Sequence, residues 1–332
     1  MKNIYFVRDN NWQDLLRHLS ADYNLIAPLD KMGAVEYHVI TEENLEEIVY
    51  AEARITQPVK FFVYPPQQTV TEEIPPSEKK TVILGIKACD LRALSALDKI
   101  FLGGDIADPF YKTKRENTIL ISNDCAKPLE VCFCNLLGKT PFPKDGFDLN
   151  LSFVETGILV ETGSEKGKNL FEKYDIPHKT AEEEQLSQRQ KKREETAKRL
   201  EEINKEFSFS DDLPALLKNN YDSPIWKEFA EPCVGCGACT NICPACHCFL
   251  LSEENLEKIR TWDSCQYTGF TRVAGGANPR KKLAERFKNR FYCKFEYKPE
   301  NFGLFGCTGC GRCIEACQGK IDMREALTRA GK

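Results

Sequence analysis

Two stretches of the sequence concentrate cysteines at short, regular intervals. Both follow the spacing C-x2-C-x2-C-x3-C, the first with Cys233, Cys236, Cys239 and Cys243 and the second with Cys307, Cys310, Cys313 and Cys317. In proteins with this spacing each run holds a [4Fe–4S] cluster, and its fourth cysteine ligates the cluster of the other run. We therefore expect one cluster on Cys233, Cys236, Cys239 and Cys317, and a second on Cys307, Cys310, Cys313 and Cys243.

The spacing disfavours zinc, because a structural zinc site takes its four ligands as two pairs. Glycines alternate with the cysteines and would let backbone amides approach cluster sulfur. The 64 residues from Cys243 to Cys307 form a longer gap than a compact ferredoxin has, and they are rich in helix-forming sequence. This gap favours a helical ferredoxin-like architecture.

Four further cysteines lie in the first half of the chain. Cys89 and Cys125 each follow a strand-like run, and Cys132 and Cys134 come close behind in "CAKPLEVCFC". If the two runs are neighbouring parallel strands, their carboxyl ends meet at the edge where open α/β sheets bind ligands. The pattern predicts a third cluster on these four cysteines, with Asp90 as a substitute ligand. The alternative is that they are ordinary buried packing residues.

The last four cysteines are dispersed through the second half. They are Cys246, Cys248, Cys265 and Cys293, and the first two follow Cys243 directly in "PACHC". One interpretation is a fourth cluster. The alternatives are packing residues, or thiols that donate weak hydrogen bonds near the other clusters. His247, between the first two, is a candidate for tuning a cluster by hydrogen bonding.

The periodicity of the chain changes between the regions that carry these cysteines. Apolar runs predict strands at 60–66, 80–86, 117–122 and 157–162, and helical spacing of leucines predicts a helix at 90–101. We expect residues 1–180 to form an α/β domain. Helical patterns at 252–260 and 279–293, after two short helices that precede Cys233, predict a mostly α-helical ferredoxin-like domain over 211–332. The expected fold class is α+β overall.

A charged segment, 181–210, joins the two expected domains. Residues 181–207 are almost all helix formers, with neither glycine nor proline. Such a composition predicts a solvated helix that bridges the domains, and the alternative is a helix on which a partner docks.

The composition limits the classes of partner and the cellular location. The 332 residues carry a net charge of −4, which gives no electrostatic reason to expect nucleic acid or a membrane surface as a partner. Neither a long apolar run nor a secretory signal is recognisable, so we expect a cytoplasmic protein. Sixteen cysteines in that compartment indicate metal ligands rather than disulfides.

The cysteine motifs and their surroundings resemble a known family. "IKACDLRALSALDKIF", "CFCN", "CVGCGACTNICPACHCF", "WDSCQYTGFTRVAGGANPR" and "CTGCGRCIEAC" are similar to the iron–sulfur β subunit of cytoplasmic sulfhydrogenases and the A subunit of anaerobic sulfite reductase. The resemblance covers about residues 60–322. It implies an electron-transfer subunit between a flavoprotein that handles FAD and NAD(P)H and a catalytic redox subunit. Two positions depart from the family, Cys293 in place of histidine and Gln318 in place of proline.

Three functional hypotheses follow. The first is an electron conduit of a hydrogenase-like or sulfite- or sulfur-reducing complex, with no catalytic residue of its own. The second is a disulfide-reductase type of iron–sulfur subunit, in which cysteines that do not bind a cluster perform thiol chemistry. The third is an interaction scaffold whose clusters only stabilise the fold. No nucleotide-binding glycine motif occurs, so the chain is not expected to bind NAD(P)H itself.

Overall fold

The computed structural model describes residues 3–71 and 79–331 and has an α+β fold. Its N-terminal part is built on an eight-stranded mixed sheet. The strands are β1 Ile4–Val7, β2 Asn24–Lys31, β3 Ala34–Val39, β5 Thr81–Ile86, β6 Thr118–Asn123, β7 Leu149–Val154, β8 Gly157–Thr162 and β9 Lys179–Thr180. They are ordered β3-β2-β5-β6-β7-β8-β1-β9.

The centre of the sheet is parallel and its edges are antiparallel. β2, β5, β6 and β7 pair in parallel, whereas β3, β8, β1 and β9 are antiparallel to their neighbours. All six residues of β6 are buried, as expected for a central strand covered on both faces. The predicted strands at 80–86, 117–122 and 157–162 are confirmed, and the first two are parallel neighbours.

Helices cover both faces of this sheet. On one face the buried side chains of α1 pack with β1, β2 and β7, and on the other the leucines of α3 pack with β5. The predicted helix at 90–101 is confirmed as part of α3. The helices of this part are α1 Asp9–Asp22, α2 Lys60–Val63, α3 Ala88–Leu102, α4 Pro109–Glu116 and α5 Glu165–Lys173.

The C-terminal part is mainly helical. The predicted pair of short helices before Cys233 is present, and 283–302 is helical throughout because α10 continues through a π-helical stretch, Cys293–Tyr297, into α11. The helices are α7 Leu213–Asn219, α8 Ile225–Ala230, α9 Ala238–Asn241, α10 Leu283–Tyr292, α11 Lys298–Phe302, α12 Arg312–Glu315 and α13 Met323–Ala330.

The structure corrects two predicted elements. The segment 60–66 is not a strand, because its first residues form α2, while 252–260 lies in a hairpin of β10 Phe249–Glu254 and β11 Glu257–Trp262. Asn255 and Leu256 both have positive φ and make the two-residue turn. β11 also pairs with β4 Gln67–Thr69, from a distant part of the chain. This pairing overrides the local helical pattern.

The charged segment forms a helix, α6 Glu183–Ile203, that lies against the N-terminal part. Arg193 donates two hydrogen bonds to Asp124, of 2.8 and 3.0 Å. At the helix end Asn204 donates to Cys132 O and accepts from Arg324, which belongs to α13. The helix thus connects the two parts of the fold. Among the described residues, no helix has the length and apolar character needed to cross a membrane.

Candidate metal centres

The two cysteine motifs have the same local backbone. The glycine before the second cysteine is left-handed in both, with φ of +68° at Gly235 and +69° at Gly309. Each motif then continues into a one-turn helix that carries its third cysteine, α9 or α12, and these two helices are in contact. The motifs therefore form an internal repeat, packed one against the other.

One cavity is lined by cysteines of both motifs. The segment that follows the second motif reaches this cavity, because the backbone at Gly319 packs on Pro232. A Cβ at position 319 would lie 2.2 Å from Pro232 O. Gln318 also lines this cavity. The four cysteines brought together are Cys233, Cys236, Cys239 and Cys317, and we refer to them as group A.

The other four motif cysteines lie close to one another in the interior. Burial raises the pKa of Cys307 to about 12, and the neighbouring thiols of Cys313 and Cys243 add to this rise. Burial also raises the pKa of Cys313, with further contributions from Cys310 and Cys243. Each thiol is thus within electrostatic range of others in the set. We refer to Cys243, Cys307, Cys310 and Cys313 as group B.

A second cavity lies at the carboxyl ends of β5 and β6. Cys89 is in the first turn of α3 after β5, and Cys125 lies two residues beyond β6, so the parallel pairing of these strands brings both to one edge. Burial raises the pKa of Cys132 to about 11 and that of Cys134 to about 12. Four cysteines of the N-terminal part line this cavity, Cys89, Cys125, Cys132 and Cys134, and we refer to them as group C.

The lining of the group C cavity fits an anionic, sulfur-rich occupant. Arg54 Nη1 and the Nε and Nη2 of Arg92 are buried and have no hydrogen-bond partner within the described residues. A buried donor without an acceptor costs about 1–3 kcal/mol. A [4Fe–4S] cluster with four thiolates would supply both the negative charge and the acceptor atoms that these groups lack.

Asp90, the candidate substitute ligand, lies beside Cys89 of this group, with its Oδ2 3.7 Å from Cys89 Sγ, and takes part in an ion pair. Its Oδ2 accepts a 2.8 Å hydrogen bond from Arg312 Nη2, and both side chains are buried. Arg312 also donates to the carbonyl oxygens of Ile55 and Thr56. The carboxylate is therefore committed to an ion pair that joins α3 to the second cysteine motif.

The last four cysteines, group D, divide into three and one. Burial raises the pKa of Cys248 to about 12, and Cys265 and Cys293 add to the rise, so these three thiols are close together. Cys246 instead lies beside Cys243 of group B, since Lys294 Nζ contacts both sulfur atoms, at 3.1 Å from Cys243 Sγ and 3.5 Å from Cys246 Sγ. The structure therefore brings Cys248, Cys265 and Cys293 close together. The fourth member, Cys246, lies beside group B.

Three side chains fix the backbone of the "PACHC" segment through consecutive carbonyl groups. Lys298 Nζ donates to Ala245 O over 2.8 Å, Lys60 Nζ to Cys246 O over 3.2 Å, and the Tyr64 hydroxyl to His247 O over 3.1 Å. Lys60 lies in α2 and Tyr64 directly follows it. The segment predicted as a strand therefore has a different role, because it anchors the cysteines that follow the first motif.

Buried cations surround groups B and D. Burial alone would lower the pKa of Lys294, but the thiols of Cys243, Cys246 and Cys307 outweigh it and keep the ammonium charged. Burial lowers the pKa of Lys60 to about 8. Burial, with Lys298 and Lys294 nearby, lowers the pKa of His247 to about 3, so its imidazole is neutral at physiological pH. Its Nδ1 has no partner in the part of the chain described.

The four groups adjoin one another. Cys310 of group B also lines the group C cavity. Cys313 of group B and Cys265 of group D both lie within electrostatic range of Cys239 in group A. Within the described residues, no three His, Cys, Asp or Glu side chains converge as ligands of one metal ion. The cysteines of groups A and C line cavities, which is the arrangement that ligands of a polynuclear cluster have.

A row of buried basic residues lies beside the cysteine groups and was not predicted from the sequence. They recur every fourth position along the helix of α10, the π-helical stretch and α11, at Arg286, Arg290, Lys294 and Lys298. Phenylalanines at 287, 291 and 295 follow the same spacing and are also buried. This spacing is the signal that was available in the sequence, since basic residues in register with a buried apolar stripe share its face.

Comparisons with known proteins agree with the cysteine geometry. Residues 232–321 match the family described as a 4Fe-4S dicluster domain, so the chain has the domain that binds [4Fe–4S] clusters. The chain is similar to sulfhydrogenase 2 subunit beta of Pyrococcus furiosus, with 36% identity over 287 residues that cover 82% of each chain. On the extent of this match, the chain belongs to the family of iron–sulfur proteins that includes the sulfhydrogenase β subunit.

Proposed function

We propose that the chain is the electron-transfer subunit of a multisubunit cytoplasmic oxidoreductase. The observation that carries this proposal is the contiguity of the four cysteine groups. Group C shares Cys310 with group B, group B adjoins group A at Cys313, and Cys265 of group D lies near group A. [4Fe–4S] clusters bound by these cysteines would supply one-electron redox chemistry.

The chain's own residues hold and insulate these sites. Groups A and B take ligands from both motifs, group C is the third site, and group D is the fourth. Metal ligation requires thiolates, so the raised pKa values of the buried thiols mean that loading releases protons to solvent. Four cationic side chains near the cavities bring positive charge to the thiolates. They are Arg54, Arg92, Arg290 and Lys294.

The partners follow from the family. The relative is named as a subunit of a sulfhydrogenase. For this chain we propose a flavoprotein subunit with FAD and NAD(P)H on one side and a catalytic redox subunit, of hydrogenase or sulfite- or sulfur-reductase type, on the other. Sixteen cysteines in a chain proposed to hold iron–sulfur clusters favour a reducing, cytoplasmic location.

Iron analysis of the anaerobically purified full chain tests the number of sites. At four irons per cluster we expect about sixteen iron atoms per chain. The double variant Cys89→Ser/Cys125→Ser should lose about four of them, and so should Cys265→Ser/Cys293→Ser. Each variant is the control for the other, because they alter different groups and the EPR signals that each removes should differ.

Two outcomes would contradict the proposal. Fewer than about eight irons per chain would mean that at least one of the two motif clusters is absent. Oxidation of NAD(P)H by the isolated chain would show a catalytic function of its own. If the group D thiols react with an alkylating agent in the folded, iron-loaded protein, they are not ligands, and thiol–disulfide chemistry replaces the fourth cluster.

A further inference from the structure

Arg290 is a buried arginine whose hydrogen-bonding capacity is unused. It is 6% exposed, and its Nε and Nη2 have no partner within the described residues. It lines the group A cavity and lies within electrostatic range of Cys313 in group B and Cys246 in group D. No other side chain of the buried basic row faces three cysteine groups in this way in the described structure.

Lys294, one turn further along the same helix, already makes the kind of contact that Arg290 lacks. Its Nζ lies 3.1 Å from Cys243 Sγ and 3.5 Å from Cys246 Sγ, and it donates to Gly306 O over 2.9 Å. It lies in the π-helical stretch, a local irregularity that often marks functional positions. Lys294 points at the sulfur atoms of groups B and D.

We propose that Arg290 donates hydrogen bonds from its unpaired Nε and Nη2 atoms to cluster sulfur where groups A, B and D meet, and that it sets the reduction potentials there together with Lys294. The inference rests on the proposed function, since it requires clusters in these groups. The inference adds that one helix, through Arg290 and Lys294, sets the relative reduction potentials of the adjoining sites.

The direction of the effect follows from charge. A cluster gains one negative charge on reduction, and a nearby buried cation stabilises the reduced form more than the oxidised form. Hydrogen bonds to cluster sulfur act in the same direction and raise the potential. In a dry interior these interactions are little screened, so loss of one guanidinium has a large effect.

Potentiometric titration of the iron-loaded full chain, followed by EPR, tests this. In Arg290→Met we expect the ratio of reduced to oxidised cluster at a fixed potential to fall about tenfold in the highest-potential component, equivalent to about 59 mV for one electron. Arg290→Lys keeps the charge but loses the planar donors, and should restore part of the shift.

Arg286 is the matched control, because it lies one turn earlier on the same face. It is also buried, but its N–H groups donate to the backbone carbonyls of Gln266, Arg280 and Lys281. Arg286→Met should lower stability and leave the potentials unchanged. The inference is overturned if Arg290→Met keeps its full iron content and its potentials, or if Arg286→Met shifts them equally. A wild-type chain that binds fewer than about eight irons would contradict the proposed function instead.

Discussion

Gly309→Ala is expected to separate group C from the second cysteine motif. A Cβ at this position would lie 2.4 Å from Cys134 Cα and 2.5 Å from its backbone nitrogen, closer than real contacts allow. The backbone cannot yield cheaply, because Phe133 N donates a 2.7 Å hydrogen bond to Gly309 O. We expect a destabilisation of about 1–3 kcal/mol from overpacking, and a loss of about four irons per chain.

Gly235→Ala is the matched control for this variant. Gly235 occupies the same position of the first motif with almost the same φ, so both substitutions carry the same left-handed backbone strain. Its Cβ, however, would meet only Leu283 Cδ1, at 3.4 Å. Iron content and urea denaturation of both variants measure the difference. Equal losses would mean that backbone strain, and not the approach of the two loops, is responsible.

Arg312→Met is expected to have the largest effect on stability. Arg312 and Asp90 form an ion pair whose side chains are 1% and 3% exposed. Removal of one partner leaves a buried carboxylate without its counter-charge, and such changes cost about 3–5 kcal/mol. The carbonyl oxygens of Ile55 and Thr56 also lose their donor. Urea denaturation of the anaerobic full chain, compared with wild type, measures the loss.

The exposed pair of Arg329 and Glu228 provides the comparison. Its side chains are 42% and 56% exposed. Exposed ion pairs contribute little, so Arg329→Met should cost no more than about 1 kcal/mol. If Arg312→Met and Arg329→Met prove equally mild, the Arg312–Asp90 pair does not hold the two parts of the chain together, contrary to the geometry.

The sequence was informative wherever short-range spacing determines geometry. The motif spacing led to the expectation that Cys317 joins Cys233, and both line one cavity. The strand-like runs before Cys89 and Cys125 led to the expectation of a shared sheet edge, which the parallel pairing of β5 and β6 produces. Both inferences need only local patterns and a general rule about strand ends.

Long-range partners were not predictable in the same way. The 252–260 segment has helix-forming residues, but β11 pairs with Gln67–Thr69, almost two hundred residues earlier. Asp90 has a carboxylate that could bind a metal, but this carboxylate accepts a hydrogen bond from Arg312, 222 residues away. Nothing in the local sequence of either segment specifies its partner, so tertiary contacts decide the outcome.

The wall of the group C cavity has a consequence for how the protein matures. It is built from Arg54, Cys89, the loop that carries Cys132, Leu200 of α6, and finally Gly309 and Cys310. During synthesis the four cysteines of this group leave the ribosome before the second motif, which makes the last side of their enclosure. A chain interrupted before the second motif would therefore expose these thiols to oxidants and to mispairing, even though its entire sheet has been synthesised.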